Sequence, residues 1–150
     1  MENISSALSR LERASGLRVG HIKLIPWIET ARAIINAYKI CSSSPRIVAV
    51  AFGAEDFTND MGVHRTQDSS EIVYPRNVVS VAAKAAAILA LDTPYFSFHN
   101  PRGLHQDARM AKNYGFNGKF AIHPDQIDII NQIFSPSASE IEYAGRVVNA

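Results

Sequence analysis

The chain has 150 residues, 47% of them hydrophobic, and a formal net charge of +1. That is long and apolar enough for one domain (residues 1–150) with a real core, and it excludes extended disorder. The charge is spread without basic or acidic blocks, so nothing in the composition favours a nucleic-acid or membrane partner over a small molecule.

The N-terminal residues Met1-Glu2-Asn3-Ile4-Ser5-Ser6 lack the basic cluster and apolar core of a signal peptide. Asn3-Ile4-Ser5 fits a glycosylation sequon, a chance match in a chain without a secretory signal. No apolar run nears the ~20 residues of a membrane span. Cys41 is the single cysteine, which rules out an internal disulfide and fits a reducing, cytoplasmic setting. It reads as a structural, half-buried thiol.

Residues from Ile4 to Ala14 carry Ile4, Ala7, Leu8, Leu11 and Ala14 at helical spacing, with Gly16 as a C-cap. Ile22–Ile28 is a continuous apolar run, the pattern of a strand buried on both faces, and it ends on Glu29. A helix is expected over Thr30–Cys41, stopped by Ser42-Ser43-Ser44-Pro45. A second strand, Ile47–Phe52, runs into Gly53-Ala54-Glu55-Asp56. Phe57–Val73 is polar and turn-rich and reads as a long functional or mobile loop. Pro75–Leu91 is expected as a helix, Pro94–Phe98 as a third strand, Leu104–Tyr114 as a helix and Lys119–Ile122 as a fourth strand ending at His123-Pro124. Helices over Asp125–Ile133 and Ala138–Val148 complete the chain, the last with a capping box from Ser137 and Glu140. Four alternations of strand and helix predict an α/β fold with parallel βα repeats.

Two strands that finish in acids put Glu29 and Asp56 side by side if the strands are parallel neighbours. Such carboxylates repel unless a proton or cation lies between them, and a hard cation, Mg²⁺ first, is the simplest occupant. The competing reading makes both acids helix caps. The backbone amides of Ala54, Glu55 and Asp56 follow a glycine and could hold a carboxylate, or form an ordinary turn. His123 lies at a strand end as an acid–base candidate or a structural histidine. Arg65, Arg76 and Arg102 are anion-contact candidates or surface cations. No phosphate-binding glycine loop, nucleophile elbow or zinc spacing occurs.

Four stretches carry a family resemblance. They are Leu24-Ile25-Pro26-Trp27-Ile28-Glu29-Thr30-Ala31-Arg32, Ala51-Phe52-Gly53-Ala54-Glu55-Asp56-Phe57-Thr58, Leu91-Asp92-Thr93-Pro94-Tyr95 and Gly118-Lys119-Phe120-Ala121-Ile122-His123-Pro124. In this order and spacing they resemble the citrate lyase β-subunit type of the HpcH/HpaI aldolase family. The resemblance implies a TIM barrel, here its C-terminal half of four strands, and Mg²⁺-dependent cleavage of β-hydroxyacyl-CoA thioesters. It implies Glu29 and Asp56 as metal ligands and the Ala54, Glu55 and Asp56 amides as holders of the α-keto acid carboxylate. His123 and Pro124 are candidate cofactor-binding residues, and no residue is assigned as the catalytic acid or base.

A complete barrel has eight strands in ~250 residues. The resemblance therefore leads us to expect a truncated or split chain that is inactive or weak alone. Its expected partners are an acyl-CoA or hydroxy or keto acid and either further copies of itself or a complementing N-terminal half. The rival expectation is a non-catalytic remnant that serves as a binding or oligomerisation module.

Overall fold

The computed structural model describes residues 2–66 and 68–149. Met1, the first residue of the segment read for a signal peptide, and Gln67, in the polar loop, lie outside them. Eight α-helices and four strands follow one another as α1 (Glu2–Ala14), β1 (Trp27–Ile28), α2 (Ala31–Ile35), α3 (Ala37–Cys41), β2 (Ala49–Phe52), α4 (Ala54–Met61), α5 (Val73–Ala85), β3 (Leu89–Asp92), α6 (Pro101–Asn113), β4 (Gly118–Lys119), α7 (Ile127–Phe134) and α8 (Ala138–Val148). Short 3₁₀ turns at Ser70–Ile72 and Pro124–Gln126 lead into α5 and α7. The strands form one parallel sheet in the order β1-β2-β3-β4. The fold is α/β, with the parallel βα repeats of half a TIM barrel.

The first strand is shorter than its apolar run because Pro26 has no N–H to give the ladder. Pairing upstream is reduced to an isolated bridge between Leu24 and Ile47. The Pro26 carbonyl still accepts from Ala51 N–H at 2.9 Å, and the Ile28 carbonyl from Gly53 N–H at 3.0 Å. The expected helix over Thr30–Cys41 divides at Asn36 into α2 and α3. Asn36 turns its side-chain amide back onto the Arg32 carbonyl at 2.8 Å, the local competition that makes Asn a poor interior helix residue.

Three expectations are corrected. The chain after Asp56 is no loop at first, because Ala54–Met61 is helix α4, ended by Gly62 in the left-handed region. The third strand is Leu89–Asp92, and Pro94–Phe98 lies outside the sheet. The preceding helix stops at Ala85 and does not reach Leu91. Its stop carries no glycine. Ala87 takes φ +56°, its N–H bonds to the Lys84 carbonyl at 3.1 Å, and Ile88 N–H bonds to the Ala83 carbonyl at 3.0 Å. This is a Schellman arrangement with alanine where glycine is usual.

The core lies between the sheet and the helices. Ile28, Val50, Phe52 and Ala90 meet Ile34, Ala37, Cys41, Phe57, Ile72, Val79, Ala82 and Ala83 there. Cys41, expected half-buried, is fully buried in this core, and burial pushes its thiol pKa up. Register partners in a parallel sheet point the same way. Trp27, Ala51, Leu91 and Gly118 therefore share the opposite face. There the Trp27 ring stacks on Phe120 with centroids 4.7 Å apart. One ring comes from β1 and the other from just beyond β4, so the sheet curls until its two edges touch across the concave side.

Two charged clusters join the elements. Arg46 reaches Glu12 through Nη1 at 2.7 Å and Nη2 at 2.6 Å and also contacts Ser5 and Ser9, which fastens α1 by its polar stripe. The Arg46 hydrogen bonds, helped by the Ile22 and Gly20 amides and opposed by burial, hold the Glu12 carboxyl at about 2. Ile4 and Leu11, on the apolar stripe, remain 49% and 61% exposed.

The second cluster was invisible in the residue pattern. Arg76, read from the sequence as an anion-contact candidate or a surface cation, is fully buried. It bonds Asp92 through Nε at 3.0 Å and Nη2 at 2.6 Å, and Asp107 through Nη2 at 2.8 Å. Lys119 Nζ lies 2.6 Å from Asp92 and 2.5 Å from Asp107. Two cations and two anions close a ring between β3, β4, α5 and α6. Burial pushes the Asp92 carboxyl up, but the Lys119 charge and the Arg76 bonds outweigh it and hold the pKa below the usual range.

Asp92→Ala leaves both cations buried with Asp107 alone, and denaturant unfolding is expected to show a loss of roughly 3–5 kcal/mol. Ala87→Gly relieves the left-handed strain and is expected to raise stability by about 1 kcal/mol in the same measurement.

Candidate metal centre

The pairing of β1 with β2 sets Ile28 beside Phe52. Glu29 and Gly53 are the next residues at the C-terminal rim. Gly53 is the N-cap of α4, and Asp56 stands in that helix's first turn. Glu29 lies so close over Gly53 that an added Cβ would meet Glu29 Cβ and Oε2 at 2.8 Å and the Trp27 ring at 3.3 Å. Glycine is required here by proximity, not by φ, which is −106°.

Two contacts fix α4 on the rim, one to the Glu29 segment and one to the end of β3. Asp60, one turn beyond Asp56 on the same helix face, accepts from Ala31 N–H at 2.8 Å. Ala54 N–H donates to Thr93 Oγ1 at 3.2 Å, which ties the helix start to the end of β3. Neither Asp60 nor Thr93 stood out in the sequence. A spacing of four from Asp56 was the one available signal for Asp60.

Burial raises the Glu29 pKa, and the neighbouring Asp56 raises it further by its charge and by sharing a hydrogen bond. The two carboxyl groups are thus within hydrogen-bonding reach of each other. Among the described residues neither has a cationic side-chain partner, whereas Glu12, Glu55, Glu71, Asp92 and Asp107 all do. The cap reading of Glu29 fails on geometry, because Thr30 Oγ1 caps α2 by accepting from Ala33 N–H at 3.1 Å. Asp56 does not reach back to Gly53, whose N–H is given to Ile28. Two hard, unpaired oxygen donors converging in this way suit a Mg²⁺ ion that keeps several waters. No group of three or more His, Cys, Asp or Glu gathers at one point among the described residues.

The amides expected to bind a carboxylate divide. That of Ala54 is taken by Thr93. Those of Glu55 and Asp56 have no partner among the described residues and open at the positive end of α4. His123 lies on the same rim after β4 but contacts neither acid. Its Nδ1 accepts from Asp125 N–H at 3.3 Å, and its ring stacks on Phe98 at 5.2 Å. Pro124 opens the following 3₁₀ turn. Arg65 pairs with Glu55 and Glu71. Arg102 is exposed on α6.

The family model HpcH/HpaI aldolase/citrate lyase matches residues 1–124. A citrate lyase subunit beta of Leuconostoc mesenteroides is 35% identical over 150 residues, all of this chain and 50% of that protein. A mitochondrial citramalyl-CoA lyase of Mus musculus is 34% identical over 137 residues, 86% of this chain and 40% of that protein. A Mycobacterium tuberculosis CitE structure in complex with magnesium, acetoacetate and coenzyme A superimposes with a TM-score of 0.72 at 31% identity, covering 85% of this chain and 49% of that one. The chain spans about half the length of the curated relatives it matches.

Gly53→Ala is expected to displace Glu29 and cost roughly 1–3 kcal/mol in thermal or denaturant unfolding, as overpacking does. With β1 and β2 paired, the two acids converging at their ends and the family model matching most of the chain, the chain belongs to the HpcH/HpaI aldolase/citrate lyase family.

Proposed function

We propose that the chain supplies the metal-binding half of a Mg²⁺-dependent carbon–carbon lyase of the citrate lyase β-subunit type. Its substrate class is a β-hydroxyacyl-CoA thioester such as citryl-, malyl- or citramalyl-CoA, cleaved to an α-keto acid and acetyl-CoA. The observation that carries this reading is the convergence of Glu29 and Asp56 with no cation of the chain between them. The names of the relatives, lyases acting on CoA-linked or citrate substrates, support the reaction class.

Glu29 and Asp56 hold the ion. When bound, Mg²⁺ supplies Lewis-acid polarisation and a template for the substrate's carboxylate and hydroxyl oxygens. The Glu55 and Asp56 amides, at a helix N-terminus, orient the carboxylate of the keto-acid portion. Ala54 serves this cradle indirectly, since its N–H holds the first turn of α4 onto Thr93. His123 and Pro124, with Phe98 stacked on the imidazole, offer an aromatic and apolar shelf for the CoA part.

The site works within a larger assembly. The sheet has open edges at β1 and β4. Ile141, Tyr143, Val147 and Val148 of α8 are exposed, as are Ile4 and Leu11 of α1. These faces suit a complementing N-terminal half or another copy of the chain.

Titration calorimetry with Mg²⁺ is the test. Glu29→Gln and Asp56→Asn are each expected to weaken binding at least ~10-fold, about 1.4 kcal/mol. Their metal-free unfolding midpoints should stay unchanged or rise, because a like-charge contact is removed. Loss of stability with intact Mg²⁺ affinity would return the acids to a structural role. A parallel lyase assay, with and without a co-expressed N-terminal half, is expected to show turnover only in the pair.

A further inference from the structure

Besides Asp60, which is committed to the Ala31 N–H, the rim carries three acids: Glu29 just beyond β1, and Glu55 and Asp56 in the first turn of α4. Only two of them meet. Glu55 precedes Asp56 in the first turn of α4, yet it turns away and accepts from Arg65 Nε at 2.9 Å. Arg65 is itself held. Its Nη1 bonds Glu71, and Glu71 also accepts from the Thr66 hydroxyl. Thr66 is further tied to Asp68 at 2.7 Å. Arg65 therefore has a fixed seat on the 3₁₀ turn that leads into α5, from which it pulls on Glu55. The Arg65 and Glu55 side chains are 27% and 44% exposed and Glu71 is 11% exposed, so the anchored end is the more sheltered one.

We propose that Arg65 is a positioning residue for the cation site: it withdraws the Glu55 carboxylate from the Glu29–Asp56 pair and so limits the site to two protein carboxylates. The inference rests on the metal reading given above. Two carboxylates with water suit Mg²⁺, which dehydrates reluctantly and accepts few protein ligands. A third carboxylate adds negative charge and ligand number, both of which favour the larger Ca²⁺.

The experiment measures Mg²⁺ and Ca²⁺ affinity of the full chain by calorimetry and takes their ratio. Arg65→Met frees Glu55, and the ratio is expected to move toward Ca²⁺ by about tenfold. Adding Glu55→Gln to that variant should return the ratio to the wild-type value, which a merely structural role for Arg65 does not do. Arg65→Lys keeps the charge and should shift the ratio less. Glu71→Gln leaves Arg65 present but loosened. It should move the ratio the same way by a smaller factor, and it carries the test if Arg65→Met does not fold. An unchanged ratio in both Arg65→Met and Glu71→Gln, or a shift that Glu55→Gln does not reverse, overturns the proposal while leaving the cation site standing. A wild-type chain that binds neither ion overturns both.

Discussion

The mutual repulsion of Glu29 and Asp56 is the constraint around which the rim is built. Carboxylates are normally kept apart or given a cation. Here parallel pairing of β1 with β2, the missing side chain at Gly53 and the Asp60 bond to Ala31 bring the two acids together, while the Thr93 bond to Ala54 anchors the start of α4 on β3. The strand pairing and the two side-chain bonds each satisfy a backbone group that would otherwise be unpaired. Their sum is a strained electrostatic arrangement on a rigid backbone, and such arrangements concentrate at functional sites.

The chain handles its buried charges in the opposite way. Arg76, Asp92, Lys119 and Asp107 form a neutral ring in which every charge has two partners. The ring sits on the helix side of the sheet, where Asp92 and Lys119 are register partners, and locks α5 and α6 to β3 and β4. Such rings add specificity more surely than stability. Glu12 with Arg46 does the same for α1. Against this background of paired charges, the unpaired couple at the rim stands apart.

Much of this was legible from residues alone. The βα order, the parallel sheet, the ends of β1 and β2 and the α8 capping box follow from apolar runs, glycine and cap residues that act locally. The position of β3 did not, because Ala-Ala-Ala-Ile-Leu-Ala-Leu continues a helical pattern and the stop at Ala87 has no glycine to announce it. Helix α4 was hidden by its polar composition, although Gly53 as cap and two acids in the first turn were the signals to read. The ring around Arg76 joins residues from four separate elements, and no local pattern records such pairings. The nearness of Glu29 to Asp56 was legible from the ends of β1 and β2, although Asp56 itself stands in the first turn of α4 and not on the strand. The occupied state of the Ala54 amide was not, because Thr93 arrives from another strand.

Helix α1 carries its own consequence. Ser5, Ser9 and Glu12 face inward on Arg46, while the greasy stripe that usually does the docking looks out. The helix is therefore registered by directional bonds before any oil-like surface is covered. A neighbour can settle on that stripe or leave it without re-aiming the helix, so the joint behaves as a pre-set socket.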